Sequence, residues 1–399
     1  MTKNDLGLLL ALGAALASAA GAEEPITLGK PLTLQSKVLD EDRTLIVYTP
    51  PGHDQGKQGY PVLYLTDGET QFIHTVATVE FLARNNLMPE LIVVGITNTD
   101  RTRDLTPTKP RPAAGDQQNR FATAGGGDRF LKFIETEVVP HVEKTWRTRP
   151  WRMLCGHSLG GLFALHALFS RTELFDAVVA ASPTLMWDND LPLVRAHEFF
   201  AARSALKKTL VVTSGTEGPE MEQAFDEMQK ILEGVKSQGF VSAAVRMPDE
   251  DHGSAVLRSY YLGLRKIFEG WRPPIDPVTG ALPGGLDGVK RHYAALSGRF
   301  NYEIPPPEPL VNNVGYAELA RGQTARALEA FRLNAATYPD SPNVHDSLGE
   351  CLEADGKPRE ARDSYARAVA LGEKVKDPNL GFFRQHLEAA EARLKAPGR

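Results

Sequence analysis

The sequence predicts an α/β fold, a mostly parallel sheet with helices on both faces, followed by an all-α tail. Three observations carry this. Between Ile26 and Met247 short apolar runs alternate with helical stretches, the order that builds parallel sheets. A G-x-S-x-G pattern, Gly156-His157-Ser158-Leu159-Gly160, stands where one apolar run meets a helix. Beyond Val311 the alternation gives way to a repeat with a period of 34 residues.

Taken in order, the chain of 399 residues opens with Lys3, an apolar run over 6–20 and the small-residue triplet Ala20-Gly21-Ala22 before Glu23-Glu24. This is the pattern of a secretory signal peptide over residues 1–22, so the protein is expected to be exported, to periplasm or medium. No later segment is apolar enough to span a membrane. Segments 32–38 and 43–48 are joined by a short connection and fit an antiparallel start. Further strands are expected at 62–66, 91–96, 153–155, 177–181, 210–213 and 243–247, short and apolar on both faces as in a covered sheet. Helices are expected at 71–84, 129–144, 159–170, 221–237 and 255–268. A long loop, 98–127, carries four Arg and three Pro and follows a strand, which places it on the ligand-binding edge of the sheet.

Pro273-Pro274, Pro277, Pro283 and Gly284-Gly285 mark a linker, and a short helix over 287–297 precedes Pro305-Pro306-Pro307. The expected division is therefore a signal peptide at 1–22, a catalytic domain at 23–274, a linker at 275–307 and a helical domain at 308–399. In the tail Gly315 pairs with Gly349, Ala320 with Ala354, Gly322 with Gly356, Ala327 with Ala361 and Phe331 with Tyr365, each 34 residues apart. That is the tetratricopeptide (TPR) period, and the tail resembles two TPR units over about 308–375 with a final helix near 380–395. A protein or peptide partner is expected there.

Composition narrows the function. Basic residues number 45 against 50 acidic, net −5, so no surplus exists to neutralise phosphates and nucleic-acid binding is not expected. Two cysteines, Cys155 and Cys351, exclude a disulfide framework and a cysteine-only metal site. The motif around Ser158 has the strand, sharp turn and helix of a nucleophile elbow, in which glycines two residues either side leave room for the strained serine. A serine needs a base. His157 lies inside the elbow, His166 two turns down the next helix and His197 in a connecting segment, whereas His252 follows the last strand and reaches the same sheet edge. The acid that holds the imidazole tautomer belongs after the strand at 210–213. Glu217 is the first candidate there and Glu220 the second, with Asp249, Glu250 and Asp251 ranked below because they crowd His252 in sequence.

At this point Val62–Gly68 (VLYLTDG), the GHSLGG elbow, Phe175–Trp187 (FDAVVAASPTLMW) and Asp251-His252-Gly253 resemble the putative-esterase family, which includes esterase D, enterochelin-type siderophore esterases and the mycolyltransferases. The resemblance covers about residues 30–270 and implies an α/β-hydrolase fold and a Ser-acid-His mechanism with no cofactor and no metal. It implies an oxyanion hole from the amides of Leu159 and Glu69. It makes Trp187 a pocket wall, and it matches Arg101 and Arg103 to an Arg-bearing loop that grips an anionic substrate. The expected function is an exported serine esterase acting on a small-molecule ester through Ser158, Glu217 and His252. A siderophore-lactone esterase is the runner-up, and a non-catalytic TPR-bearing binding protein is the reading from another class.

Overall fold

A computed structural model describes residues 27–54, 56–110, 121–275 and 282–395. The expected signal peptide lies outside the described residues, as do parts of the 98–127 loop and of the Pro/Gly-rich linker.

The sheet has eight strands: β1 (Lys30–Ser36), β2 (Glu41–Tyr48), β3 (Tyr60–Leu65), β4 (Ile92–Ile96), β5 (Thr148–His157), β6 (Ala177–Ala181), β7 (Thr209–Ser214) and β8 (Val241–Arg246). They lie in the order β1-β2-β4-β3-β5-β6-β7-β8. β1, β2 and β4 pair antiparallel, the short connection at residues 37–40 allowing it, and every pair from β4 through β3 to β8 is parallel. The fully apolar runs YPVLYL, IVVGI and AVVAA are buried along their whole length, as strands covered on both faces must be.

One face is covered by the segment 127–145, which contains one π turn at Ile134–Val138, and by helices Leu159–Ser170, Trp187–Ala201 and Pro219–Gly234. The other face holds Gly68–Arg84 and Ala255–Ile267. The fold thus agrees with the expected α/β architecture, with two additions. Helix Trp187–Ala201 occupies what the sequence suggested was a connection, and His197 stands on it, exposed. Helix Arg101–Leu105 forms inside the expected loop, its first turn capped by the Asp100 side chain accepting from the Arg103 amide.

The linker is corrected more strongly. Its helix runs Gly285–Phe300 and is no free spacer: Leu286, Val289, Tyr293, Leu296 and Phe300 are buried in the same apolar cluster as Trp151, Phe268 and Trp271. The Phe300 ring sits 5.4, 5.3 and 5.7 Å from those three. Each such side chain withdrawn from water contributes about 1.5–3 kcal/mol, so an apolar helix face decided what Pro/Gly punctuation did not. The cluster continues into Val311, Val314 and Ala330 of the tail.

The tail is all-helical: Glu308–Ala320, Thr324–Thr337, Pro342–Ala354, Pro358–Val375 and Leu380–Lys395. Gly315 meets the Phe331 ring where a Cβ would come within 2.7 Å, and Gly349 meets Tyr365 at 2.5 Å, the same close approach one period apart. Among the described residues no helix is long and apolar enough to cross a membrane.

Candidate active site

Four neighbouring parallel strands, β5 to β8, end on one edge of the sheet. Ser158 follows β5, Ser182 follows β6, Glu217 follows β7 and His252 follows β8, so topology alone gathers residues nearly one hundred positions apart.

Ser158 has φ 60°, ψ −117°, a conformation hostile to a non-glycine residue and held by its surroundings. Its amide donates to the Ala181 carbonyl at 3.0 Å, and its carbonyl accepts from Leu162 at 3.0 Å and Thr184 at 3.3 Å. A Cβ at Gly156 would lie 2.1 Å from the Gly160 oxygen, and one at Gly160 2.3 Å from Thr66 Oγ1, so the turn admits only glycine at both positions. Helix Leu159–Ser170 starts at the next residue, and Gly68–Arg84 starts beside it in the sheet order. The amides of Leu159 and Glu69 thereby fall in first turns, where N–H groups have no intrahelical acceptor and the helix dipole favours negative charge.

His252 Nδ1 lies 3.0 Å from Glu217 Oε2, and the imidazole side chain is 40% exposed while the carboxylate is fully enclosed. The other carboxylate oxygen, Oε1, accepts from the Gly215 amide at 2.7 Å and from the Ser182 hydroxyl. Burial pushes the Glu217 carboxyl up, but the donors His252, Ser182 and Gly215 together outweigh it and hold its pKa below the ordinary value. Glu220 is exposed on the following helix. Asp249 and Glu250 pair with Arg258, and Asp251 accepts from the amides of Gly253 and Ser254, shaping its own loop. The structure therefore brings Glu217, and not its competitors, to the His252 ring.

His157 packs against His252 from the elbow. Its Nε2 lies 2.7 Å from the His252 carbonyl and its ring centroid 4.7 Å from that of His252. Burial lowers its pKa, favouring the neutral ring with Nε2–H donating. His166 is buried on the helix as expected, with Nε2 2.8 Å from Asp128.

The arginines depart from expectation. Arg101 Nε and Nη2 donate to the two oxygens of the buried Asp67 at 2.6 and 3.1 Å, and Nη2 also reaches the His157 carbonyl at 3.2 Å. Asp67 is left-handed (φ 54°) and stands at the N-cap position of the helix that carries Glu69, whose side chain accepts from Asn98. Arg101 thus ties the Glu69 turn to the elbow instead of standing free for a substrate. Arg103 is spent on Glu41 (2.6 Å) and Asp104 (2.7 Å), a network closed by the buried Arg43, and Glu41 is drawn down to about 2, chiefly by the Arg103 hydrogen bond. It anchors the loop helix to β2. Trp187 is buried among Ala124, Leu162 and Leu159. Its Nε1 donates to Thr108 at 3.1 Å, and the Phe121 ring stands edge-on at 4.9 Å. It therefore lies next to the residue that follows Ser158.

A metal-capable group lies away from this edge. In the tail Asp346, Glu350 and His386 bring donor atoms within 4.8 Å of one another, and the His386–Asp346 contact of 2.9 Å ties the last helix to Pro342–Ala354. Sequence reasoning missed Ser182, Asn98 and Asp67 as site residues. The Ser182-Pro183 turn was visible, but an uncharged serine 35 residues from Glu217 gives no signal of its target.

Comparison with known proteins identifies the family. Residues 36–262 match the family described as putative esterase. A siderophore enterobactin esterase of Emericella nidulans is 35% identical over 39% of this chain and 56% of its own. A siderophore triacetylfusarinine C esterase of Aspergillus fumigatus is 29% identical over 58% of this chain and 92% of its own. The crystal structure of an IroE-like serine hydrolase from Shewanella oneidensis superposes with a TM-score of 0.67 at 29% identity, covering 77% of this chain and 99% of that one.

Proposed function

The chain belongs to the putative-esterase family and is an ester-hydrolysing enzyme, and from that premise we propose that it works through a Ser158–His252–Glu217 triad. The observation that carries this reading is the 3.0 Å contact between His252 Nδ1 and the enclosed Glu217 carboxylate, at the sheet edge where Ser158 sits in its strained elbow. Glu217 holds the Nδ1–H tautomer, which leaves Nε2 as the basic nitrogen. Ser158 Oγ attacks the ester carbonyl carbon as His252 Nε2 takes its proton. The tetrahedral oxyanion is held by the amides of Leu159 and Glu69. His252⁺ returns the proton to the departing alkoxide, and water then attacks the acyl-enzyme by the same route, with His252 again the base. Arg101 keeps the two oxyanion donors in register through Asp67 and the His157 carbonyl.

Within this mechanism we take a siderophore ester as the substrate class, supported by relatives named as siderophore esterases at 29–35% identity. Phe121, exposed and edge-on to the buried Trp187, offers an aromatic face suited to an aromatic acyl group. The tail is read as two TPR units with a capping helix, and residues 1–22 as an export signal. Hydrolysis of a catecholate trilactone set beside p-nitrophenyl esters of increasing chain length tests the assignment. Turnover of the trilactone well above that of every simple ester supports it, and turnover of simple esters alone returns the enzyme to a general carboxylesterase.

A further inference from the structure

We propose that Ser182 is a positioning residue that orients the Glu217 carboxylate toward His252. The proposal rests on the triad reading and deepens it. Ser182 stands directly beyond β6, between the strands that deliver Ser158 and Glu217. Its backbone is left-handed, φ 42°, an unfavourable state for serine. The amide donates to the Thr213 carbonyl at 2.9 Å, continuing the β6–β7 ladder through the turn. That conformation directs the hydroxyl onto Glu217 Oε1, where the Gly215 amide also donates at 2.7 Å.

Two donors on Oε1 and one, His252 Nδ1, on Oε2 divide the work of the carboxylate. A carboxylate with only His252 as partner is free to rotate about its last bond, and burial without donors drives it toward the neutral acid. Ser182 and Gly215 remove that freedom and leave Oε2 facing the imidazole. Gly215 contributes through its backbone N–H, which side-chain truncation cannot remove. Ser182 is the side chain on which the arrangement depends. A buried serine whose hydroxyl bonds to a carboxylate 35 residues away, at the cost of a left-handed backbone, is better explained by that contact than by packing.

The experiment uses the full chain with S182A, S182G, E217Q and the S182A/E217Q double variant. S182G removes the hydroxyl while relieving the positive φ, which separates loss of activity from loss of stability. With p-nitrophenyl acetate, kcat should fall about tenfold in both S182A and S182G, the scale of one charge-assisted hydrogen bond, with KM unchanged. The deficit should widen toward pH 5, because Glu217 with one donor fewer protonates at higher pH. In the E217Q background S182A should cost less than twofold, since the Ser182 bond then holds an amide that no longer fixes the Nδ1–H tautomer of His252. Wild-type kcat in both single variants, or the same tenfold loss with and without Glu217, overturns the proposal. If E217Q alone keeps wild-type activity, the triad reading fails, a result distinct from failure of Ser182 alone.

Discussion

Replacing Glu217 by Gln tests the orientation of the base with almost no change in shape. The amide has one acceptor and one donor group where the carboxylate had two acceptors. If its oxygen takes the Oε1 position, it still accepts from Ser182 and Gly215, but its NH₂ then faces His252 Nδ1. Nδ1 must then be the unprotonated nitrogen, and the proton moves to Nε2, the atom that should receive the Ser158 proton. If the amide turns the other way, two enclosed donors meet an NH₂ and lose their acceptor, at about 1–3 kcal/mol each. The first arrangement is therefore favoured, and the wrong tautomer results. By analogy with serine proteases, kcat should fall about 10⁴-fold with a modest change in KM. Steady-state hydrolysis of p-nitrophenyl acetate measures it, with E220Q and D251N in parallel. Those two should stay within a few-fold of wild type, since Glu220 is exposed and the Asp251 carboxylate accepts from amides of its own loop. E217Q within tenfold of wild type, or E220Q as the more damaging change, would refute the reasoning.

The remaining predictions concern the scaffold. A chain ending at residue 274 should keep esterase activity yet melt lower and aggregate more than one ending at residue 304, because it uncovers Trp151, Phe268 and Trp271; equal melting temperatures would show that the docked helix contributes nothing. Because folding lowers the Glu217 pKa, its contribution to stability is fully present above the unfolded-chain value, about 4.3, and is lost as pH falls through the folded value. Denaturant titrations should therefore show the stability difference between wild type and E217Q narrowing from about pH 5 to pH 3, and a difference that stays constant would contradict the assigned shift. R101A should lower both melting temperature and kcat, by leaving the buried Asp67 carboxylate to Asn98 and taking the Arg101 donor from the His157 carbonyl. A variant of full stability that loses only KM for anionic esters would restore Arg101 to the substrate.

Most of the sheet was legible because its strands are short apolar runs with little competing pattern: 177–181 was read with the bounds it has, and β7 to within a residue at each end. The elbow was legible because only glycine fits at Gly156 and Gly160. Glu217 followed from topology, since a residue just after β7 must lie on the same edge as Ser158. Helix Trp187–Ala201 was hidden because Asp188, Asn189 and Asp190 are left-handed and Pro192 lies within it. The docking of Gly285–Phe300 was hidden behind strong linker punctuation, although its five buried residues recur at helical spacing. The ion pairs of the arginines were hidden for a different reason. Charge in a loop looks free in sequence, and only the fold brings Asp67 and Glu41 against it.

Covalent labelling with a fluorophosphonate tests the central claim most directly, because the reagent phosphonylates a serine only where a base activates it and donors stabilise the resulting oxyanion. The account predicts one adduct per chain, found by mass spectrometry on the peptide containing Ser158. It further predicts no adduct in S158A, a folded S158A with kcat reduced by about 10³-fold or more, and greatly slowed labelling in H252A. Stoichiometric labelling at another residue, or S158A hydrolysing p-nitrophenyl acetate at near the wild-type rate, would contradict it.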